Sequence, residues 1–393
     1  MDIEKLRAET PGVSSSINGG IHLLAAGSAL MPQAVVDAVI DHTNLEARLG
    51  GYEAEARMAD QLDNVYDIVA AHIGAARHEI ALVENATVAW CQAFYALPLE
   101  PGSRILTCEA EYAANYVAFL QRAKRDDLVI DVVPSDENGA ADLVALAAMI
   151  DDRVGLIAMT WIPTNGGLVN PAAEIGRIAN KHGIPFLLDA CQAVGQMPVD
   201  VGALGCDFLS ATGRKFLRGP RGSGFLYVAE KWLATLEPAM IDHFGAAWIA
   251  KDRYELRDDA RRFETWENSY ALRAGLGVAV DYAAALGMKA IQDRVWGLAS
   301  LARDMLGELP GATIRDIGGQ QCAIVSFTID GLEPRATIAA LGQQGIAIGA
   351  SDLASTRLDF EARALPMLMR AAPHYYNTEE ELKRFVLALR ALL

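Results

Sequence analysis

Three polar clusters follow apolar, strand-like runs of this sequence and could do chemistry together. Their polar residues are Asp189 and Gln192 in IPFLLDACQAVGQ, Thr212, Arg214 and Lys215 in SATGRKFLRGPRGSGFLYV, and Asn85 and Thr87 in LVENATVAW. In open α/β sheets, ligands bind beyond the carboxyl ends of the strands. We therefore expect the three clusters to lie close together.

The clusters supply a carboxylate, a lysine beside an arginine, and a helix start whose free N–H groups can bind an anion. Pyridoxal phosphate needs all three, because it forms a Schiff base with a lysine, protonates its ring nitrogen against an aspartate and carries a phosphate. Arg214 can bind that phosphate, and its charge helps to keep the neighbouring Lys215 amine neutral enough to react. The clusters predict a pyridoxal phosphate site.

The elements that must position these residues are visible as alternating apolar runs and helix-length segments between about residues 65 and 230. The runs are RILTCEA, LVIDVVPS, VGLIAMTW, IPFLLDA, CDFLSAT and GFLYVAE. Such alternation predicts an α/β fold with a mostly parallel sheet and helices on both faces.

A helix predicted over Ala271–Leu286 leads to a second unit with strand candidates AIVSFTID, IAIGAS and LMRAA and a closing helix. We expect Asn377 to cap this helix, with Glu380 at the capping-box position. The predicted organisation is an N-terminal segment (1–22), a large α/β domain (23–260) and a smaller C-terminal α+β domain (261–393).

The composition limits which classes of partner this chain is expected to bind. The 393 residues are 52% hydrophobic and 21% charged, with a formal charge of −16. This charge disfavours nucleic acid and anionic membranes as partners and favours a small molecule. The N-terminus MDIEKLRAET has no apolar core, so we expect a cytoplasmic protein. The cysteines have no CxxC spacing. We therefore expect neither a disulfide framework nor a metal site.

From about Leu23 to the C-terminus the chain resembles the class V aminotransferase family of pyridoxal-phosphate-dependent fold type I enzymes. This family includes cysteine desulfurases, selenocysteine lyases, isopenicillin N epimerase-like proteins and hercynylcysteine sulfoxide lyases. The resemblance implies that Lys215 forms the Schiff base, Asp189 pairs with the pyridinium nitrogen and Gln192 approaches the ring oxygen. It also implies a phosphate site formed by Thr212, Arg214 and the turn Asn85-Ala86-Thr87.

Further segments carry the same resemblance. EAEYAANYVAF implies that Tyr112 stacks on the cofactor ring, where the family usually has a histidine. IPTNGGLVNP implies Thr164 or Asn165 beside the cofactor hydroxyl, and MRAAPHYYNTEEEL implies that Arg370 grips the substrate carboxylate, a task suited to a two-point guanidinium clamp.

The tract RRFETWENSY resembles the segment that crosses the family's dimer interface. Its residues Arg262, Glu264, Trp266 and Asn268 imply a homodimer with a shared active site. Arg218 and Arg221 lie in RGPRGSG, a glycine-rich loop that follows Lys215. We expect both to be solvated charges rather than contacts to a partner's cofactor.

The reaction itself depends on what surrounds Lys215. Desulfurases of the family carry a loop cysteine that takes the sulfur, and the corresponding stretch GASDLASTRLDFEARALP has none. This favours β-elimination from a cysteine-derived thioether or sulfoxide, without persulfide transfer, over the open alternatives of transamination or epimerisation. Arg357 and Arg363 could bind a polar leaving group or be solvated. A non-catalytic binding module would be expected to have lost Lys215 or Asp189.

Overall fold

The structure, a computed structural model, describes residues 1–14 and 20–393. Within these residues, helices and one short strand precede the main sheet. These elements are α1 (Ile3–Ala8), α2 (Pro11–Ser14), strand β1 (Ile21–His22), α3 (Gln33–Leu49) and α4 (Gly51–Ile73). Gly50 joins α3 to α4 at a φ of 97°, a conformation that would strain a residue with a side chain.

The apolar runs form a seven-stranded sheet with the strand order β2-β8-β7-β6-β5-β3-β4. Its strands are β2 (Ile80–Val83), β3 (Arg104–Cys108), β4 (Val129–Val133), β5 (Val154–Thr160), β6 (Phe186–Asp189), β7 (Phe208–Thr212) and β8 (Gly224–Val228). Neighbours from β4 to β7 pair in parallel, whereas β8 is antiparallel to both β7 and β2. The short loop 213–223 cannot make a parallel crossover, so β8 returns antiparallel. The mostly parallel sheet is confirmed.

Both faces of this sheet are buried, which explains why its strands are continuously apolar. In β6, Phe186 and Leu188 belong to one hydrophobic core, whereas Leu187 belongs to the core on the other face. The elements that connect or follow the strands are α5 (Ala86–Ala96), α6 (Ala113–Asp126), α7 (Leu143–Met149), α8 (Ala172–His182), α9 (Val201–Leu204), α10 (Glu230–Leu233) and the antiparallel hairpin β9 (Ala246–Ala250) and β10 (Arg253–Leu256). Two 3₁₀ turns span Arg77–Glu79 and Ala260–Phe263.

The C-terminal part contains a four-stranded antiparallel sheet with the order β11-β12-β15-β14. Its elements are α11 (Tyr270–Leu286), α12 (Met288–Gly307), β11 (Ala312–Ile314), β12 (Val325–Ile329), α13 (Pro334–Gln343), β13 (Ile346–Ala347), β14 (Gly349–Ser351), α14 (Arg357–Ala362), β15 (Leu368–Ala371) and α15 (Glu379–Arg390). The predicted helices and the strand candidates AIVSFTID and LMRAA of this part are confirmed. IAIGAS instead forms two short strands, because β13 pairs with β1 whereas β14 pairs with β15. In the described part of the chain no single helix is long and apolar enough to cross a membrane; only α11 and α12 together, bent by 83°, pass by length and composition.

The predicted domain boundaries stay predictions, and the structure adds one fact about the N-terminal one. β1 pairs in parallel with β13, and the N–H of Ala372 donates to the Leu23 carbonyl at 2.8 Å. Residues on both sides of the boundary at 22/23 therefore pair with the C-terminal part.

The predicted cap of α15 is wrong by one residue. Thr378 is the N-cap: its hydroxyl accepts the Glu381 N–H at 3.2 Å, and the Glu381 carboxylate accepts the Thr378 N–H at 3.1 Å. The Asn377 side-chain oxygen instead accepts the N–H of His374 at 2.7 Å. Since Thr378 and Glu381 have the same spacing as Asn377 and Glu380, the sequence pattern alone could not separate the two registers.

Candidate active site

The carboxyl ends of β2, β3, β5, β6 and β7 meet at one cavity of about 530 Å³. Of the residues predicted to form the site, those lining it are Asn85, Ala86, Thr87, Tyr112, Thr164, Asp189, Gln192, Thr212, Arg214 and Lys215. A second cavity of about 520 Å³ lies between α3, α4 and α11, but no lysine lines it. The first cavity therefore holds the predicted chemistry.

Lys215 lies just beyond β7, and its side chain is buried with Nζ 5.9 Å from the centre of the Tyr112 ring. Burial lowers the pKa of its amine, and the nearby charges of Arg214 and Arg370 act in the same direction, whereas Cys191 and Asp189 oppose them. A lowered pKa leaves more of the amine neutral at physiological pH, as a nucleophile or proton acceptor requires.

Asp189 ends β6 and points a buried carboxylate into the same cavity. Its Oδ1 accepts the N–H of Cys191 at 2.9 Å, and its Oδ2 accepts the side-chain N–H of Asn115 at 3.0 Å. Both donors are neutral, so the negative charge has no cationic partner among the described residues. Such a carboxylate suits a cationic group of a ligand.

The start of α5 forms the anion-binding end of the cavity. The Asn85 side chain caps this helix by accepting the N–H of Val88 at 3.1 Å, which leaves the N–H groups of Ala86 and Thr87 outside the helical hydrogen bonding. Gly224 permits this close approach, since a Cβ there would lie 3.1 Å from the backbone carbon of Asn85. Arg214 adds a cation to the lining of the same cavity.

Thr164 and Asn165, the two candidates for the contact with the cofactor hydroxyl, differ in position. Thr164 lines the cavity, whereas the Asn165 side chain is turned away and donates to the Asp359 carboxylate at 2.6 Å. Gln192 donates to the Thr164 hydroxyl at 3.3 Å, and its Oε1 is buried without a partner in the described residues.

Arg370 borders the cavity through Thr164. Its Nη1 donates to the carbonyl oxygen and the hydroxyl of Thr164 at 2.5 and 2.6 Å, and its Nε is buried with no partner among residues 1–14 and 20–393. Burial lowers the pKa of its guanidinium to about 10. A buried cation without an acidic partner is costly, which is the arrangement expected where a ligand supplies the anion.

Of the two arginines predicted to be solvated, one needs correction. Arg218 is not a solvated loop charge: it is 1% exposed and donates to the Leu30 carbonyl and to the hydroxyls of Tyr375 and Thr10. Arg218 is buried because residues from distant parts of the chain surround it. The local sequence of its glycine-rich loop does not indicate this burial. Arg221 is exposed, as predicted.

The tract 261–270 divides into a buried and an exposed half. Arg262 and Glu264 are buried in their own subunit, where the Glu264 carboxylate accepts the Tyr66 hydroxyl at 2.8 Å and pairs with Arg273 at 2.9 Å. Trp266 is 41% exposed and stacks on His243. Only the second half is therefore available for an interface.

Sequence reasoning missed several residues of the site. Cys191 and Thr160 line the cavity, and Glu111 and Asn115 lie behind Asp189 in hydrogen-bond contact with one another. The spacing of four residues between Glu111 and Asn115, at the start of a helix that follows a strand, is the signal that could have identified this pair.

Comparison with known proteins gives a consistent picture. The model of the aminotransferase class-V family matches residues 21–385. A cysteine desulfurase of Dickeya dadantii is 32% identical over 404 residues, covering 99% of this chain and 96% of the relative. The apo structure of a cysteine desulfurase from Thermococcus onnurineus superimposes with a TM-score of 0.91 at 25% identity, covering 99% of this chain and 97% of the other. A cysteine desulfurase structure from Escherichia coli, at 23% identity and a TM-score of 0.91 over 100% of this chain and 98% of the other, shows the same fold.

The chain belongs to the aminotransferase class-V family and is a pyridoxal-phosphate-dependent enzyme of fold type I. The cavity fits this cofactor. Lys215 is a buried amine, Asp189 is a carboxylate without a cationic partner in the described chain, and the α5 start with Arg214 can receive a phosphate.

Proposed function

We propose that this enzyme cleaves the carbon–sulfur bond of a cysteine-derived amino acid by β-elimination, without handing the sulfur to a cysteine of its own. The observation that carries the proposal is a loop, residues 349–366, that contacts neighbours of the cavity-lining residues but contains no cysteine. The relatives named cysteine desulfurases support a cysteine-derived substrate.

Bound pyridoxal phosphate would supply an electron sink for negative charge that develops at the substrate Cα. Lys215 would hold the cofactor, Asp189 would face its ring nitrogen, and Tyr112 would lie against its ring. Arg214, Thr212 and the turn 85–87 would hold its phosphate, and Thr164 and Gln192 would lie on the side of its hydroxyl.

Arg370 would bind the substrate carboxylate. Its guanidinium is held by Thr164 and has a buried Nε without a partner in the described residues. A carboxylate would neutralise the buried charge and could accept two parallel hydrogen bonds. This contact fixes the substrate so that its Cα–H bond can face Lys215.

Lys215 would then move the proton. Its neutral amine takes the proton from Cα, the Cβ–S bond breaks, and the sulfur leaves with the bonding electrons. Protonation of the leaving group gives a thiol from a thioether and a sulfenic acid from a sulfoxide. The 2-aminoacrylate that is released takes up one water molecule to give pyruvate and ammonia. Atoms and electrons balance without a further oxidant or reductant.

The loop 349–366 explains why sulfur transfer to the protein is disfavoured. It packs beside the site, since the Ser355 carbonyl accepts the N–H of Ala113, next to Tyr112, at 2.9 Å, and Asp359 accepts the side chain of Asn165, next to Thr164. The thiol nearest the chemistry is Cys191, and burial holds its pKa well above the ordinary value. A buried, protonated thiol is a poor nucleophile.

The two loop arginines have local partners. Arg357 pairs with Glu361 at 2.7 Å on the surface, and Arg363 pairs with Asp359 at 3.1 Å. These contacts support structural roles for both, rather than recognition of a leaving group.

We also propose a homodimer in which the exposed half of the tract, residues 265–269, reaches the partner. Trp266 and the 69% exposed Tyr52 border one surface groove, and Asn268 lies beside Glu84, next to the phosphate-binding turn. Exposed aromatic residues of this kind are typical anchors of interfaces. The cytoplasmic location stays a prediction.

Product analysis of the purified holoenzyme tests the reaction. The protein is incubated separately with L-cysteine, with a cysteine thioether sulfoxide, and with alanine plus a keto acid, and pyruvate, sulfide and new amino acid are measured. We expect pyruvate in step with the released sulfur compound and no new amino acid. A new amino acid in the incubation with alanine plus a keto acid would instead establish transamination, and inverted substrate would establish epimerisation. Alanine formed from L-cysteine would establish sulfur transfer and contradict elimination.

Lys215→Ala is the control for this experiment. It should abolish every product and the visible absorbance of the lysine-bound cofactor while leaving the fold intact. Turnover near the wild-type rate in this variant would contradict the assignment of Lys215. Sulfur bound covalently to wild-type protein after L-cysteine turnover would contradict elimination without transfer.

A further inference from the structure

A second carboxylate, Glu111, is buried behind Asp189 at 3% exposure. Its Oε1 accepts the Tyr112 N–H and the Asn115 side chain, both at 2.8 Å, and the Thr160 hydroxyl at 2.5 Å. Its Oε2 accepts the Thr160 N–H at 3.0 Å and the Thr107 hydroxyl at 2.9 Å. All these donors are neutral, so the charge of Glu111 has no counter-ion among the described residues.

Asn115 joins this carboxylate to Asp189. One side-chain nitrogen, Nδ2, donates to Glu111 Oε1 at 2.8 Å and to Asp189 Oδ2 at 3.0 Å, which uses both of its hydrogens. Two buried carboxylates thus share one neutral donor. Burial above all, together with the charge of Asp189, raises the pKa of Glu111 to about 7.

Few other groups near Glu111 can change charge. Cys108 on β3 and Tyr112 at the start of α6 are the titratable neighbours besides Asp189 on β6; β5 contributes only Thr160. Burial raises the pKa of the Cys108 thiol far above its ordinary value and also raises the pKa of Tyr112. Both stay neutral near pH 7, so Glu111 and Asp189 are the carboxylates whose charges matter there.

We propose that Glu111 is a positioning residue that acts through Asn115 and Asp189, and that its negative charge strengthens the hold of Asp189 on a protonated, cationic ligand nitrogen. The physical reason is that two carboxylates stabilise one cation more than a single carboxylate does. When Glu111 is neutral, part of that stabilisation is lost. This inference rests on the proposed function, in which Asp189 faces the cofactor ring.

The test is a pH titration of the ring-nitrogen NMR signal of holoenzyme loaded with ¹⁵N-labelled pyridoxal phosphate, which reports protonation of that nitrogen independently of turnover. Glu111→Gln removes the negative charge, so the protonated form is less stabilised and the midpoint should fall. For a charge on the order of 10 Å away in a medium of effective dielectric constant about 20, the expected fall is ~1 pH unit.

Glu109→Gln is the matched control. Glu109 lies two residues away and accepts the Ser135 hydroxyl at 2.5 Å, with no contact to Asn115. It makes the same change of charge on the same segment, and we expect its midpoint to stay within ~0.2 pH unit of wild type. A midpoint that moves equally in both variants would contradict a specific path through Asn115.

Thr107→Val provides a second variant if glutamine at position 111 prevents folding. It removes one donor to Glu111 without lining the cavity, which disfavours the charged form of Glu111. The midpoint should therefore move in the same direction, by less than in Glu111→Gln. Thermal unfolding, recorded in parallel, separates a loss of stability from the shift of the midpoint.

The outcomes distinguish this inference from the proposed function. A wild-type protein without the visible band, or a band that persists in Lys215→Ala, would contradict the cofactor site itself. A visible band that depends on Lys215, together with an unchanged ring-nitrogen midpoint in Glu111→Gln and Thr107→Val, would overturn only the role of Glu111.

Discussion

Replacing Arg370 by lysine tests the proposed carboxylate site directly. In the structure the Arg370 Nη1 is held by two oxygens of Thr164, while its Nε is buried without a partner among the described residues. Lysine keeps the positive charge but cannot present two coplanar donors to a carboxylate. One hydrogen bond to a charged group is worth about 1.5–3 kcal/mol, so kcat/KM should fall roughly 10- to 150-fold.

The assay is steady-state release of pyruvate at increasing substrate concentration. Since the carboxylate lies away from the bond that breaks, most of the loss should appear as a raised KM. Arg357→Lys is the matched control, because Arg357 is exposed and pairs only with Glu361 among the described residues. We expect the control to change kcat/KM by less than about twofold.

Two results would refute this reasoning. One is a fall in kcat/KM of less than about threefold in Arg370→Lys, which is below the range for a charged hydrogen bond. The other concerns inhibitors: an amine analogue that lacks the carboxylate should bind wild type more weakly than the amino acid. Equal binding would show that Arg370 does not recognise the carboxylate.

Three further predictions follow from single residues. Asp189→Asn should keep the cofactor bound but lower turnover by about 10² or more, because an amide cannot stabilise a cationic ring nitrogen; steady-state kinetics would show a loss under twofold if Asp189 were only a turn residue. Trp266→Ala should shift a sedimenting dimer towards monomer, and a fully active wild-type monomer at micromolar concentration would contradict the shared site. His374 donates through Nε2 to the Phe216 carbonyl at 2.8 Å and accepts the Tyr375 N–H at Nδ1, and burial holds its pKa well below 6.5. Below about pH 6.5 the unfolded state therefore binds a proton at this position that the native state does not bind. The free energy of unfolding should decrease by up to about 1.4 kcal/mol for each pH unit below that value. In urea titrations at pH 7 and pH 5, His374→Gln should show a smaller decrease than wild type.

The positions of the main strands and of the residues that follow them could be predicted from the sequence because each run is apolar, short and bounded by polar residues. For example, Asp189 and Lys215 each follow such a run closely, and parallel strands bring their carboxyl ends together. Local pattern was sufficient there. It failed by one residue at α15, where Asn377 and Thr378 offer equivalent capping registers.

Residues whose surroundings come from distant parts of the chain could not be predicted in this way. Arg218 occupies a glycine-rich loop, yet its guanidinium lies 4.9 Å from the centre of the Tyr375 ring and donates to Thr10, which is 208 residues away. Glu264 likewise pairs with Arg273 and Tyr66 inside its own subunit. A charged residue is normally solvated, so burial of this kind is decided by tertiary partners that no local pattern contains.

The distribution of charge explains why the site should bind two anions, the phosphate of the cofactor and the carboxylate of the substrate. The protein carries a formal charge of −16, yet Arg214, Lys215 and Arg370 gather at one cavity, without an ion pair to any of the described residues. Burial lowers the pKa of all three, which measures how poorly their charges are compensated by the protein alone. Arg214 lies with the start of α5 and Arg370 with Thr164, so the two arginines serve different contacts. A phosphate at the first and a carboxylate at the second would neutralise both, and neither anion alone could do so.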